Sequence, residues 1–118
     1  MDSNRLQNCL LLDFYGELLT EKQRECCDLY YNEDLSLGEI AEQLGISRQA
    51  VWDNIRRAEG AMQEIENKTG LIRRFSCVQE KLESVSGKLA ELAELSEGGI
   101  KQRIESLKDE IDDMKLEV

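Results

Sequence analysis

Apolar residues recur at helical spacing along nearly the whole chain. Leu6, Cys9, Leu10 and Phe14 fall at helical spacing, which predicts a first helix over residues 4–15 with these residues on its apolar face and Gly16 at its end. A second helix starts after Thr20. Threonine is a good N-cap, Gln23 three residues on completes a capping box, and Glu21 suits the positive end of the helix dipole. Cys26 and Cys27 repeat four residues later as Tyr30 and Tyr31, so these four are expected to face inward, and the polar run after Tyr31 breaks the helix. The stretch SLGEIAEQLG carries another capping box, Ser36 with Glu39, and Gly45 stands where a left-handed residue is needed to end a short helix. Ser47 then caps a long helix closed by Gly70, with Val51, Ile55, Ala58, Met62 and Ile65 along one face.

The pattern changes near Thr69-Gly70. Phe75, Val78, Leu82, Val85, Leu89 and Leu92 alternate steps of three and four, a heptad stripe. After SEGG the stripe resumes as Ile100, Ile104, Leu107, Ile111, Met114 and Val118, one residue out of phase. Gly98-Gly99 favours a turn there, so two helices folded as an antiparallel hairpin are predicted. Gly87 weakens the first of them slightly. Two narrow stripes make a thin core, so the N-terminal domain or a second copy of the chain should cover them. The expected architecture is all-α: a helix-turn-helix domain over residues 1–70, then amphipathic C-terminal helices over 71–118 that serve dimerisation or regulation.

Composition agrees with this reading. Proline, which helix interiors reject, is absent from all 118 residues, and no alternating run of β-branched residues predicts a sheet. No run approaches the roughly 18 apolar residues of a membrane span. The first stretch, MDSNRLQNCLLLDFYGE, has no basic leader and is interrupted by Asp13, so a secretory signal is not expected and a cytoplasmic location is. The four cysteines form no C-x-x-C pair and there is no histidine, which argues against a metal site. Neighbouring Cys26 and Cys27 point about 100° apart on a helix, a poor geometry for a disulfide. All four cysteines read as reduced, small apolar side chains. Without histidine no Ser-His or Cys-His pair can form, and no glycine loop cradles a phosphate, so neither catalysis nor a cofactor is expected.

The candidate chemistry lies in IAEQLGISRQAVWDNIRRAE, from Ile40 to Glu59. Ala41 is small where two helices cross, Gly45 makes the turn, and Ile40, Leu44, Ile46, Val51 and Ile55 supply the core between them, as a helix-turn-helix requires. If Val51, Ile55 and Ala58 face inward, the second helix presents Arg48, Gln49, Trp52, Asp53 and Arg56 outward, with Ser47 at its start and Arg57 flanking. Arg48 and Gln49 could reach base edges, and Arg56 and Arg57 could hold phosphates. Trp52 and Asp53 argue the other way. A carboxylate repels phosphate unless it accepts from a cytosine amino group, and an indole suits an unstacked base or a pocket on a partner protein. The chain carries a net charge of −10, so long-range attraction to nucleic acid is poor even though Ser47–Arg57 holds three arginines against one aspartate.

The stretch LTEKQRECCDLYYNEDLSLGEIAEQLGISRQAVWDNIRRAE resembles the promoter-reading domain of sigma factors, region 4. Joined to the preceding LLLDFYGELLTEKQ and followed by an acidic helical tail, it is similar to the YlxM family of small bacterial helix-turn-helix proteins over about residues 4–110. That resemblance implies an all-helical fold and a regulatory role beside the signal recognition particle, with the particle's protein or RNA components as partners. Duplex DNA is the alternative partner, read through Arg48, Gln49 and Arg56. A second copy of the chain is a further expected partner, and a membrane is not. The acidic run Asp109, Glu110, Asp112 and Asp113 reads as a solvated face, with a competing reading as a nucleic-acid mimic that folds over the basic helix.

Overall fold

The computed structural model describes residues 3–115, so Val118, the last position of the C-terminal stripe, lies outside the described residues. Every regular element among them is helical: α1 (Ser3–Tyr15), a 3-10 turn (Gly16–Leu18), α2 (Glu21–Cys27) running into a π turn (Asp28–Asn32), α3 (Leu37–Leu44), α4 (Arg48–Thr69), α5 (Leu71–Glu94) and α6 (Gly98–Met114). The described residues form two compact units, divided between Ile72 and Arg73.

Local chemistry sets the helix ends of the first unit. Thr20 and Ser36 accept from the backbone N–H groups of Gln23 and Glu39, whose side chains accept in return from the cap N–H, so both capping boxes are closed. Those hydrogen bonds, from the Ser36 backbone first, hold the Glu39 carboxyl below its ordinary pKa. Gly45 and Gly70 end α3 and α4 at φ 69° and 64°, where a Cβ would be strained.

The core is built on α4, against which α1, α2 and α3 all pack. Val51, Ile55, Ala58 and Met62, spaced four, three and four, are fully buried, as are Cys26 and Cys27 of α2 and Ile40 of α3. Each of the larger side chains contributes about 1.5–3 kcal/mol by leaving water. Tyr31 is buried and Tyr30 half-buried, as their spacing predicts.

On α1 the buried residues are Leu11, Leu12 and Tyr15, whereas Leu6 is 54% exposed and Cys9, Leu10 and Phe14 only partly covered. The expected apolar face is therefore rotated. The run Leu10-Leu11-Leu12 makes α1 apolar over much of its circumference, so spacing alone does not select the inward side. Polar groups help to select it. Arg5 donates to the Tyr30 carbonyl at 2.9 Å and to Asp34 at 2.8 Å, and it lies over both the Tyr30 and Tyr31 rings. Asn8 donates to the Tyr31 hydroxyl at 3.1 Å and to Glu59 at 3.3 Å, and the Tyr31 hydroxyl itself donates to Glu59. The Tyr15 hydroxyl donates to buried Glu66 at 2.6 Å. Arg5, Asn8, Leu12 and Tyr15 are spaced three, four and three, and this row is the inward side.

In the second unit α5 and α6 run antiparallel. Ser86 donates to Asp112 at 2.7 Å, and Lys115 pairs with Glu83 at 3.0 Å, so three steps up α5 match three steps down α6. Ser86, Ala93 and Ile104 are buried, with Leu82, Leu89 and Ile111 half-buried. This contact uses only part of each expected stripe, together with Ser86 and Ala93 from outside it. Val78, Val85 and Leu92 of α5, and Ile100, Leu107 and Met114 of α6, stay exposed. Hydrogen bonds from Lys108, Ser86 and Lys115 hold the Asp112 carboxyl well below the usual carboxylate range. That member of the acidic run is thus tied into the hairpin rather than free as a phosphate mimic.

Candidate partner-binding face of the helix-turn-helix

The geometry of α3, turn and α4 follows from three local bonds. The Gly45 and Ile46 N–H groups both bond to the Ala41 carbonyl, and the Ser47 hydroxyl accepts from the Ala50 N–H at 3.0 Å. With Val51, Ile55 and Ala58 buried, the opposite side of α4 is solvent-facing. Arg48, Gln49, Trp52, Asp53, Arg56 and Arg57 are all exposed there, with Ser47 exposed at the start.

These residues form two parallel rows at four-residue spacing, Arg48–Trp52–Arg56 and Gln49–Asp53–Arg57. Each row contains an internal contact. The Arg56 guanidinium lies 5.3 Å from the Trp52 ring centre, a cation–π stack. The Gln49 amide donates to Asp53 at 3.0 Å. Arg48 folds back over the first turn of α3: a Cβ placed on Gly38 would meet its Nη2, Nε and Cζ at 3.0–3.2 Å. Trp52 remains 38% exposed between the arginines.

Sequence reasoning placed these residues on one exposed surface but missed how they engage one another. It also missed Arg5, Asn8, Glu59 and Glu66. The last of these carried a readable signal. Glu66 stands four residues beyond Met62, in line with the buried row of α4, where a carboxylate demands partners. It has them in the Tyr15 hydroxyl and the Ile72 N–H, the latter at 3.0 Å.

Other chemistry is sparse. A cleft of about 330 Å³ is lined by Leu12, Asp13, Gly16, Glu17, Arg24, Asp28 and Asn32, and none of the α4 face residues borders it. Among the described residues no cluster of His, Cys, Asp or Glu is arranged to hold a metal ion. Also among them, no helix is long and apolar enough to cross a membrane. All four cysteines are free, and Cys77 is exposed rather than packed as a small apolar side chain.

Comparison with known proteins decides the family. Residues 2–103 match the family UPF0122, described as "Putative helix-turn-helix protein, YlxM / p13 like". The chain belongs to this family. The UPF0122 protein of Thermoanaerobacter sp. (strain X514) is 42% identical over 117 residues, covering 98% of this chain and all of that protein. The UPF0122 protein of Desulforamulus reducens is 45% identical over 108 residues, covering 85% of this chain and 92% of its own length. That of Listeria innocua is 41% identical over 106 residues, covering 90% and 94%. These matches run beyond the helix-turn-helix into the residues of the C-terminal helices of this UPF0122 chain.

Proposed function

We propose that this UPF0122 chain is a non-enzymatic, cytoplasmic regulatory protein that docks through the outward face of α4 on a protein component of the signal recognition particle pathway. One observation carries the protein-docking reading. Two groups suited to base edges or phosphates, Gln49 and Arg56, are already engaged by Asp53 and Trp52 on their own helix. The face therefore offers a stacked Trp–Arg pair beside an outward carboxylate. Tryptophan and arginine are the residues most enriched at the energetic centres of protein interfaces, whereas Asp53 works against a phosphate backbone. The resemblance to the YlxM family is what points to the particle.

The test uses the purified full chain against the particle's GTPase, the particle's RNA and a duplex DNA of random sequence, at low and physiological salt. Trp52→Ala should weaken GTPase binding by roughly 30-fold or more, as loss of an interface centre does. Arg48→Glu should cost less. The reading fails if the chain binds duplex DNA more tightly than the GTPase and Trp52→Ala leaves both affinities unchanged.

A second reading has its own observation. Arg48, Arg56 and Arg57 give the first turns of α4 a local excess of two positive charges, on the helix a helix-turn-helix places in the major groove. Duplex recognition would then show a steep fall in affinity with salt, and Arg48→Glu with Arg56→Glu would abolish both the binding and its salt dependence.

A further inference from the structure

The α5–α6 hairpin leaves one apolar face uncovered. Val78, Val85 and Leu92 on α5, and Ile100, Leu107 and Met114 on α6, stand one heptad apart, each between 42% and 67% exposed. Each trio is a line along its helix. On α5 the line lies about 40° from Leu82 and Leu89, and on α6 about 40° from Ile104 and Ile111, the residues turned toward the other helix. Both lines are displaced in the same rotational sense along their own helix. Because the helices are antiparallel, both lines emerge on the same side of the hairpin.

We propose that this face is a self-association surface. Two copies pack hairpin on hairpin as a four-helix bundle, about a two-fold axis parallel to the helices, so that α5 of each copy lies over α6 of the other. This inference is independent of what α4 binds.

Area and charge select a second copy as the occupant. The six side chains expose roughly 600 Å² per hairpin, at the upper end of the ~300–600 Å² of the largest apolar patch on a typical monomer. Two such faces brought together bury about 1,200 Å², which reaches the ~1,200–2,000 Å² of stable interfaces. The outer rim of the face carries Lys81, Lys88 and Glu91 along α5, and Arg103, Glu110 and Asp113 along α6. The register of Ser86 with Asp112 and of Glu83 with Lys115 places residue 88 level with residue 110. A parallel two-fold axis therefore sets Lys88 opposite Glu110 of the partner subunit. Lys81 then comes within about a turn, ~6 Å along the axis, of Asp113 of the partner subunit, and Glu91 within the same reach of Arg103 of the partner subunit. An axis across the helices would instead lay α5 on α5 and bring the lysine rims together, which like-charge repulsion opposes. The net charge of −10 also resists association, but beyond ~8 Å it is screened at physiological salt while apolar contact is not.

Sedimentation equilibrium of the full chain at micromolar concentration tests this. The expected species is twice the 13.5 kDa chain mass. Val85→Glu with Leu107→Glu should yield the single-chain mass with unchanged helical circular dichroism, since both positions are exposed in one copy. Lys88→Glu should weaken the dimer about tenfold, and adding Glu110→Lys should restore it, as paired charges across an interface do. A wild-type chain that sediments at single mass overturns the proposal, as does a dimer that survives the Val85/Leu107 pair. Failure of Glu110→Lys to rescue overturns the arrangement about the parallel axis.

Discussion

Glu66→Ala should destabilise the helix-turn-helix unit by about 3–4 kcal/mol. The Glu66 carboxylate is buried and accepts from the Tyr15 hydroxyl at 2.6 Å and the Ile72 N–H at 3.0 Å. Hydrogen bonds to a charged group contribute ~1.5–3 kcal/mol each, and a buried donor left unpaired costs ~1–3 kcal/mol. The two losses are unequal. The Tyr15 hydroxyl retains Thr69 Oγ1 at 2.8 Å, whereas the Ile72 N–H loses the acceptor that holds the start of α5. Burying a carboxylate also costs solvation, which offsets part of its contribution. Glu66→Gln, which keeps the shape and one accepting oxygen, should therefore cost only ~1 kcal/mol. Urea unfolding followed by Trp52 emission is the assay. Trp52 is the only tryptophan and lies on α4, so the signal reports this unit and not the hairpin. With a slope of ~1–3 kcal/mol per molar urea, 3 kcal/mol moves the midpoint down by more than ~1 M. An alanine shift below ~0.5 M, or a glutamine variant as unstable as alanine, would refute the hydrogen-bond reasoning.

Gly38→Ala should leave the fold at least as stable as wild type. The new Cβ meets only the flexible end of Arg48, and replacing a helical glycine by alanine gains up to ~0.5–1 kcal/mol. Arg48 must swing off α3, so any change in partner binding by this variant reports Arg48 alone, while a loss above ~1 kcal/mol in the urea assay would contradict the contact geometry. Alkaline pH should unfold the same unit. Burial first, and then the Glu59 charge, push the Cys27 thiol from 9.0 up to about 12, and burial raises the Tyr31 and Tyr15 hydroxyls too. The folded chain then keeps protons that the unfolded chain gives up. Stability from Cys27 is full below about pH 9 and is lost as pH rises from about 9 to 12, by up to ~1.4 kcal/mol per pH unit. A urea midpoint that stays level from pH 8 to 11 would refute this.

Much of the first unit was legible in the order of residues because its decisive bonds are local. Thr20 with Gln23, Ser36 with Glu39, and the Ser47 cap each act across three residues, and Gly45 and Gly70 each answer to a single φ. The buried row of α4, and with it the outward set from Ser47 to Arg57, follows from spacing on one helix. What those outward residues do to one another was not legible. Arg56 stacking on Trp52 and Gln49 bonding Asp53 depend on rotamers, and Arg48 resting on Gly38 depends on the neighbouring helix.

The sequence by itself determined where helices begin and end and which side of α4 is apolar. Only the tertiary structure decided which side of α1 turns inward, which carboxylates are buried, and which half of each C-terminal stripe is left exposed. Helix ends depend on neighbours three or four residues away. A helix that is apolar over much of its circumference, or a stripe wider than one contact, has several equally apolar ways to pack. Distant partners choose among them: Glu66 for Tyr15, and Asp112 for Ser86.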